Sequence, residues 1–227
     1  METRETRASA SEVKFLVSAA LGDEVEKWAK RWLGPDPHGA QYQVASLYFD
    51  TPAGDVLRRN GSFARGKYRI RRYDGAPTVF LERKLRANSV VTKRRSLVEV
   101  EDLPLLDSHT LDRQWAGGYW FHRRLQARGL RPATQISYVR SARVLDTKAG
   151  FMRLTLDRQL AARPIQSFEF SKEPGAPVLP DGRVILELKF RNRMPSLFRE
   201  LMDELVLTPQ PLSKFRLAAG ILAPAHA

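Results

Sequence analysis

Apolar and charged positions alternate along much of this chain. Between 183 and 191, Val184, Leu186, Leu188 and Phe190 alternate with Arg183, Ile185, Glu187, Lys189 and Arg191. Successive side chains of a strand point to opposite faces, so a period of two predicts a β-strand with one greasy face and one largely ionic face. The same rhythm sets Met152, Leu154 and Leu156 against Arg153, Thr155 and Asp157, and puts Lys67, Arg69 and Arg71 on one face of another strand. A Glu-x-Lys pair recurs in such segments, as Glu12 with Lys14, Glu82 with Lys84 and Glu187 with Lys189. Residues two apart share a face, so each Glu points the same way as its Lys.

The pattern predicts eight strands, over about 12–17, 44–49, 67–73, 78–84, 91–101, 135–141, 151–157 and 183–191. Asp74-Gly75-Ala76-Pro77, Lys148-Ala149-Gly150 and Pro180-Asp181-Gly182 supply turns between them. A helix is expected from Asp23 to Leu33, with acidic residues in its first turn and Val25, Trp28, Ala29 and Trp32 on one face. Pro195 opens another, with Leu197, Phe198, Leu201 and Leu205 at helical spacing. A last short helix starts near Ser213, and the aromatic stretch 104–134 includes one that packs against the sheet. Residues 1–10 read as a flexible tail and 11–223 as a single domain. The fold class is mainly β (α+β), and eight antiparallel strands suggest closure into a barrel with room for packed side chains or one small ligand.

Composition narrows the function. The 227 residues, 43% of them hydrophobic, suit one large β domain. Net charge is +13 and the isoelectric point about 10.4, which favours an anionic partner such as nucleic acid, a phosphate compound or an anionic membrane surface. With no cysteine, disulfides and thiolate metal sites are excluded, and the four histidines show no ligand spacing. No apolar run approaches the roughly 18 residues that span a bilayer. The charged N-terminus lacks the apolar stretch of a secretory signal, so a cytoplasmic protein is expected.

The direction of the basic faces is left open by the pattern. Unpaired cations cannot sit in a dry interior, because desolvating each costs several kcal/mol. If they point inward, the lumen is wet and holds an anion. If they point outward, they are solvated, and the Glu-x-Lys pairs are surface salt bridges worth little each.

The ordered set of motifs resembles the VTC domain, the polyphosphate-polymerase branch of the triphosphate tunnel metalloenzymes, from Glu12 to about Leu222. Its pieces are Glu12-Val13-Lys14-Phe15, Ser46-Leu47-Tyr48-Phe49-Asp50-Thr51-Pro52, Lys67-Tyr68-Arg69-Ile70-Arg71 with Tyr73, Leu81-Glu82-Arg83-Lys84, and Val91-Thr92-Lys93-Arg94. The second half adds Tyr138-Val139-Arg140, Arg153-Leu154-Thr155-Leu156-Asp157, Leu186-Glu187-Leu188-Lys189 and Ser213-Lys214-Phe215. The Ser-Leu-Tyr-Phe-Asp-Thr-Pro run is the most specific piece. The resemblance implies an eight-stranded antiparallel closed β-tunnel with flanking α-helices, whose basic lumen holds triphosphate or polyphosphate beside Mn²⁺ or Mg²⁺. It implies Lys14, Arg69, Arg71, Lys84, Lys93, Arg140, Arg153 and Lys214 as catalytic cations. It implies Tyr138, Ser213 and Lys189 as substrate contacts, and Glu187 as the metal carboxylate. The implied activity is transfer of the terminal phosphate of ATP to a growing polyphosphate chain, with a separate membrane partner where product crosses a membrane.

The hydrolase branch of the superfamily starts with Glu-x-Glu-x-Lys, whereas here Ala10 stands two before Glu12. One carboxylate fewer weakens a two-metal site that would activate water, and favours the polymerase over a triphosphatase of the same fold. A non-catalytic polyphosphate-binding module has no use for Glu187. Nucleic-acid binding would require a basic surface with exposed stacking aromatics and is disfavoured. Asp157, Glu12 and Glu82 read as partners that align Lys or Arg. Arg58-Arg59 and Arg123-Arg124 read as exposed, and Trp115 and Trp120 as core.

Overall fold

The alternating segments pair into one antiparallel sheet in the computed structural model, which describes residues 4–8, 10–87, 90–147, 150–191 and 193–222. Its strands are β1 (Arg4–Ala8), β2 (Ala10–Val17), β3 (Gly34–Pro35), β4 (Gln41–Asp50), β5 (Gly66–Tyr73), β6 (Thr78–Ala87), β7 (Val90–Glu99), β8 (Arg131–Thr147), β9 (Gly150–Pro164), β10 (Ala176–Pro177) and β11 (Val184–Arg191). The hydrogen-bonded order is β1-β7-β6-β5-β4-β8-β9-β11-β2, with β3 added to β8 and β10 to β9.

This corrects the closed eight-stranded tunnel. The sheet has eleven strands, and its ladder is an open path: among the described residues no pairing joins β1 to β2. The two end strands are instead consecutive in the chain. β1 pairs with β7 and β2 with β11, so one extended N-terminal segment edges both sides of the path. Residues 4–8, read as part of a flexible tail, thus form a strand. Arg-Glu-Thr-Arg-Ala has no apolar alternation, so β1 exists through its ladder rather than through a greasy face.

The β8–β9 hairpin is about twice as long as expected. Its registers run from Thr134 opposite Pro164 to Thr147 opposite Gly150, with a shift between Ser137 and Val139. Such a bulge locally breaks the period of two within the strand.

Five helices flank the sheet: α1 (Ala19–Trp32), α2 (Asp55–Arg58), α3 (Tyr119–Ala127), α4 (Ser196–Glu204) and α5 (Lys214–Leu222). α1 begins a turn before the expected Asp23, because Ser18 caps it by accepting from the Leu21 amide at 3.2 Å. Its first turn holds no acidic residue, and Trp32 is exposed at 55% rather than packed. Val25, Trp28 and Ala29 are buried as expected.

Two apolar cores pin the sheet. Phe15, Leu154, Leu156, Leu186 and Leu188, on the faces opposite the ionic residues, meet Val25 and Trp28 of α1 and Phe198 and Leu201 of α4. Leu47, Phe49, Ile70, Leu81 and Ile136 meet Phe121 and Leu125 of α3 and Phe215 and Ala218 of α5. Each buried large side chain stabilises the fold by about 1.5–3 kcal/mol. With the greasy faces covered from outside, the ionic faces turn inward, which settles the open orientation. No described helix is long and apolar enough to cross a membrane.

Candidate active site

The lumen is built one same-face step at a time. Lys67, Arg69, Arg71 and Tyr73 of β5 line it, and the register carries the pattern sideways: Lys67 lies opposite Lys84, and Arg69 opposite Glu82. β7 continues with Lys93 opposite Lys84 and Arg95 opposite Glu82. On the other wall Glu187 lies between Lys14 and Thr155, and Lys189 between Glu12 and Arg153. Together they enclose a cavity of about 440 Å³, lined by twelve Lys and Arg side chains and the carboxylates of Glu12, Glu82 and Glu187.

All twelve residues singled out from sequence line this cavity: Lys14, Arg69, Arg71, Lys84, Lys93, Tyr138, Arg140, Arg153, Glu187, Lys189, Ser213 and Lys214. Lys67, Arg95 and Arg191 line it too and were left out of the predicted site. Each stands two residues from a chosen cation, so one more step of the same period finds them. Tyr48, Tyr73, Phe151 and His38 were also left out. His38 lies in the loop before β4, where no periodicity marks it.

The Ser46–Pro52 motif works by alternation. Leu47 and Phe49 are fully buried in the outer core. Ser46 Oγ accepts from Arg71 Nε at 3.1 Å, and Tyr48 Oη accepts from Arg69 Nη1 at 3.2 Å. Asp50 accepts from the backbone amides of Thr51, Val56 and Leu57 and fixes the turn into α2. The motif therefore aims two arginines and anchors its own turn.

Partners separate the carboxylates. Glu82, 2% exposed, accepts from Arg69 Nε at 2.6 Å and forms ion pairs with Lys93 Nζ at 2.7 Å and Arg95 Nε at 3.1 Å. Burial opposes its ionisation, but Arg69, Lys93, Arg71 and Arg95 hold its pKa well below the carboxylate range. Asp157, fully buried, accepts from Arg140 Nε and Nη2 at 2.6 and 2.8 Å and from Lys214 Nζ at 2.5 Å. Among the described residues Glu187 has one ion pair, to Lys14 Nζ at 3.5 Å, and that ammonium also stands 3.8 Å from Glu12. Burial again opposes ionisation of Glu187, but Lys14, Lys214, Arg140 and Lys84 outweigh it and hold the carboxyl well below its usual range.

The crowded cations perturb one another. Burial, with Lys14, Arg59 and Lys84 adding repulsion against the pull of Tyr48, brings Lys67 down to about 8. Burial also brings Lys93 to about 8, with Glu82 opposing and Arg69 and Arg95 repelling. For the Tyr48 phenol, burial raises the pKa, but Arg69, Arg71 and Lys214 overcome it and set the value at about 7. Arg71, 6% exposed, has no carboxylate partner among the described residues; it donates only to Ser46 and to the Tyr138 hydroxyl at 3.0 Å.

The residues present fit a divalent cation that takes most of its ligands from phosphate and water. Among the described residues no three His, Asp or Glu side chains gather as a ready cage. Glu187 is an ionised carboxylate facing the cavity, and the Lys14 ammonium marks a place for positive charge between it and Glu12. Beside Glu187 in register, the buried Thr155 hydroxyl has no hydrogen-bond partner. Mg²⁺ and Mn²⁺ suit one or two carboxylates completed by substrate oxygens and water.

A curled antiparallel sheet with its cations turned inward defines a triphosphate tunnel protein. The fold is shared with solved structures, two of which illustrate it. One is a candidate adenylate cyclase from Bacillus halodurans, with TM-score 0.55, 13% identity, and 91% of this chain and 95% of that one covered. The other is an adenylyl cyclase candidate from Hippeastrum, described as having a dominant triphosphatase activity, with TM-score 0.50, 15% identity, and coverage of 97% and 98%. The chain itself belongs to the VTC domain family, whose model matches residues 9–222. No curated protein matches the chain.

Proposed function

We propose that this protein is a metal-dependent phosphotransferase that holds triphosphate or polyphosphate in its lumen, and that its reaction is ATP-dependent polyphosphate synthesis. One observation carries the reading: twelve cations face three carboxylates across a single cavity. Only a polyanion neutralises such an excess, and the buried, carboxylate-free Arg71 is its sharpest instance.

Phosphoryl transfer depends on in-line positioning and charge neutralisation rather than on a covalent protein intermediate. Arg71 and Arg69, aimed by Ser46, Tyr138, Tyr48 and Glu82, present planar forks to phosphate oxygens. Arg140 spends two of its donors on Asp157 and acts as a fixed charge. Lys67 and Ser213, joined at 2.7 Å, and Lys84 and Lys14 offer compact charges to a sliding chain. Arg153 and Lys189 extend the track. Glu187 would hold a divalent cation, which would supply charge neutralisation to the phosphates. The acceptor is the terminal oxygen of the chain: its bond to the γ-phosphorus forms as the bond to the β-bridging oxygen breaks, and ADP leaves. Passage of product across a membrane is work for a separate partner.

The runner-up is hydrolysis in the same lumen, with water as the acceptor; Ala10 in place of a second N-terminal carboxylate weighs against it. Incubation with ATP and Mn²⁺, followed by ³¹P NMR, decides. Internal-phosphate resonances growing with ADP are expected. Orthophosphate alone, from ATP or tripolyphosphate, would move the protein to the hydrolases.

A further inference from the structure

The two ends of the lumen differ in their aromatic side chains. Lys67 and Tyr73 lie six residues apart on β5, about 20 Å along an extended strand. At the Lys67 end, Tyr48 stacks on Phe215 at 5.3 Å, but both rings are buried, at 7% and 3% exposure. At the Tyr73 end, His38 stacks on Tyr73 at 5.2 Å with the planes 15° apart. Here His38 is exposed and Tyr73 half-buried, and both line the cavity. Tyr42 stands edge-on to both rings, at 5.9 and 5.7 Å, and props the pair from below.

A guanidinium that pairs with Glu82 through Nε stands beside these rings with a donor in reserve. Arg95 lies over Phe80 at 3.3 Å, Phe80 meets Tyr73 at 5.8 Å, and Arg95 Nη2 has no hydrogen-bond partner. One same-face step from Tyr73, about 7 Å, brings the chain to Arg71. A flat ring face, a ribose-sized gap and then a guanidinium held by hydroxyls form the sequence of contacts that a nucleotide presents in reverse.

Resting on the phosphate-tunnel reading above, we propose that the Tyr73 end is a nucleobase platform: the base of a nucleoside triphosphate stacks on the His38–Tyr73 pair and its phosphates thread past Arg71 toward Lys67. This gives the lumen a polarity. The nucleotide enters at the Tyr73 end, and the inorganic chain occupies the Lys67 end, where the rings are buried and stack on each other. Recognition by ring faces is tolerant of base identity, so ATP and GTP bind alike.

The test compares ATP with tripolyphosphate, which has no base. Base–aromatic stacking is worth about 1–3 kcal/mol, so His38→Ala is expected to weaken ATP binding by roughly 5- to 100-fold in calorimetric titration. Tripolyphosphate affinity stays within about twofold. Tyr73→Leu gives the same selective loss, and retained tripolyphosphate binding shows that the variant is folded. Irradiation with 8-azido-ATP, followed by peptide mapping, places the label on peptides holding His38 or Tyr73. Label on the peptide holding Ser213 to Phe215, or an equal loss for both ligands in both variants, overturns the platform. If ATP affinity is unchanged while tripolyphosphate still binds, the platform fails and the tunnel reading survives. If the unaltered protein binds neither, both fail together.

Discussion

Two walls of the lumen carry the same Glu-x-Lys pattern and use it differently. On the β5–β6–β7 wall Glu82 is 2% exposed and saturated by Arg69, Lys93 and Arg95. On the β9–β11–β2 wall the Glu187 side chain is 19% exposed and, among the described residues, meets a single ammonium at 3.5 Å. Both are held ionised by surrounding cations. The difference lies in what is left over: Glu82 has no charge to spare, and Glu187 does. A carboxylate with its partners already in place is scaffold, whereas one facing a cavity with one distant partner is available to a metal.

The largest effect that sharpens this contrast is expected at Glu187. Glu187→Gln keeps shape and removes the charge. Metal-dependent turnover should fall at least about 1000-fold, the several kcal/mol that Lewis-acid stabilisation supplies. Metal-free tripolyphosphate binding should hold or tighten, because a negative charge has left an anion site. Turnover across a Mn²⁺ titration, beside calorimetry without metal, reads both. Parallel loss of affinity and activity would place Glu187 among the scaffold carboxylates.

Glu82→Gln should behave in the opposite way. It leaves three cations facing one another without their shared anion, and breaking a buried pair costs about 3–5 kcal/mol. The urea midpoint should drop accordingly, and added tripolyphosphate should restore more stability to the variant than to the parent, since phosphate replaces the missing charge. A variant of parental stability would show that the wall does not depend on its central carboxylate.

A third effect, smaller and opposite in sign, is expected at Arg71. Among the described residues its buried charge has hydroxyl partners only. Arg71→Met removes the desolvated charge at similar volume, so the ligand-free protein should gain about 1–2 kcal/mol. Tripolyphosphate affinity should fall about tenfold or more, since a hydrogen bond to a charged group is worth about 1.5–3 kcal/mol. Denaturation and titration of one sample would show stability and affinity moving apart; loss of both would make Arg71 a structural residue.

The contrast between the walls was not legible in sequence, and the reason is distance along the chain. Period-two alternation is local, so it exposes which side chains share a face of their own strand; the family resemblance, not the alternation, implied one lumen for Lys14, Arg69, Arg71 and Glu187. What distinguishes Glu82 from Glu187 is the occupant of the next strand: Lys93 and Arg95 across β7 in one case, Thr155 across β9 in the other. Pairing register decides that. β1 was missed for the same reason, since only its ladder to β7 makes it a strand. The β8–β9 hairpin was cut short at its ends, where the ladder carries the strands on to Thr147 and to Pro164. His38 belongs to no periodic element, and it came to light only through its stack on Tyr73.

The smallest expected effect is a pH dependence that separates ligand-free stability from affinity. Lys67 and Lys93 have folded pKa values of about 8, against an ordinary 10.5, and Tyr48 about 7, against 10. For each lysine the unfolded chain binds more protons between pH 8 and 10.5, so ligand-free stability rises with pH through that window. For Tyr48 the same sign applies between pH 7 and 10. Affinity runs the other way. Further ionisation of the phosphate chain only adds negative charge as pH rises, so a fall in affinity reports the protein: each lysine loses its charge above 8, and the Tyr48 phenolate adds negative charge above 7. Tripolyphosphate affinity should fall roughly tenfold between pH 7 and pH 9, with proton uptake on binding visible as calorimetric heats that depend on buffer ionisation enthalpy. Lys67→Met should lower affinity at pH 7 and flatten the slope above 8, while Tyr48→Phe should raise affinity modestly at pH 8. An affinity that stays level to pH 9 would mean that these lysines keep their protons without a ligand, so that the cavity water already solvates them and their repulsion does not drive phosphate binding.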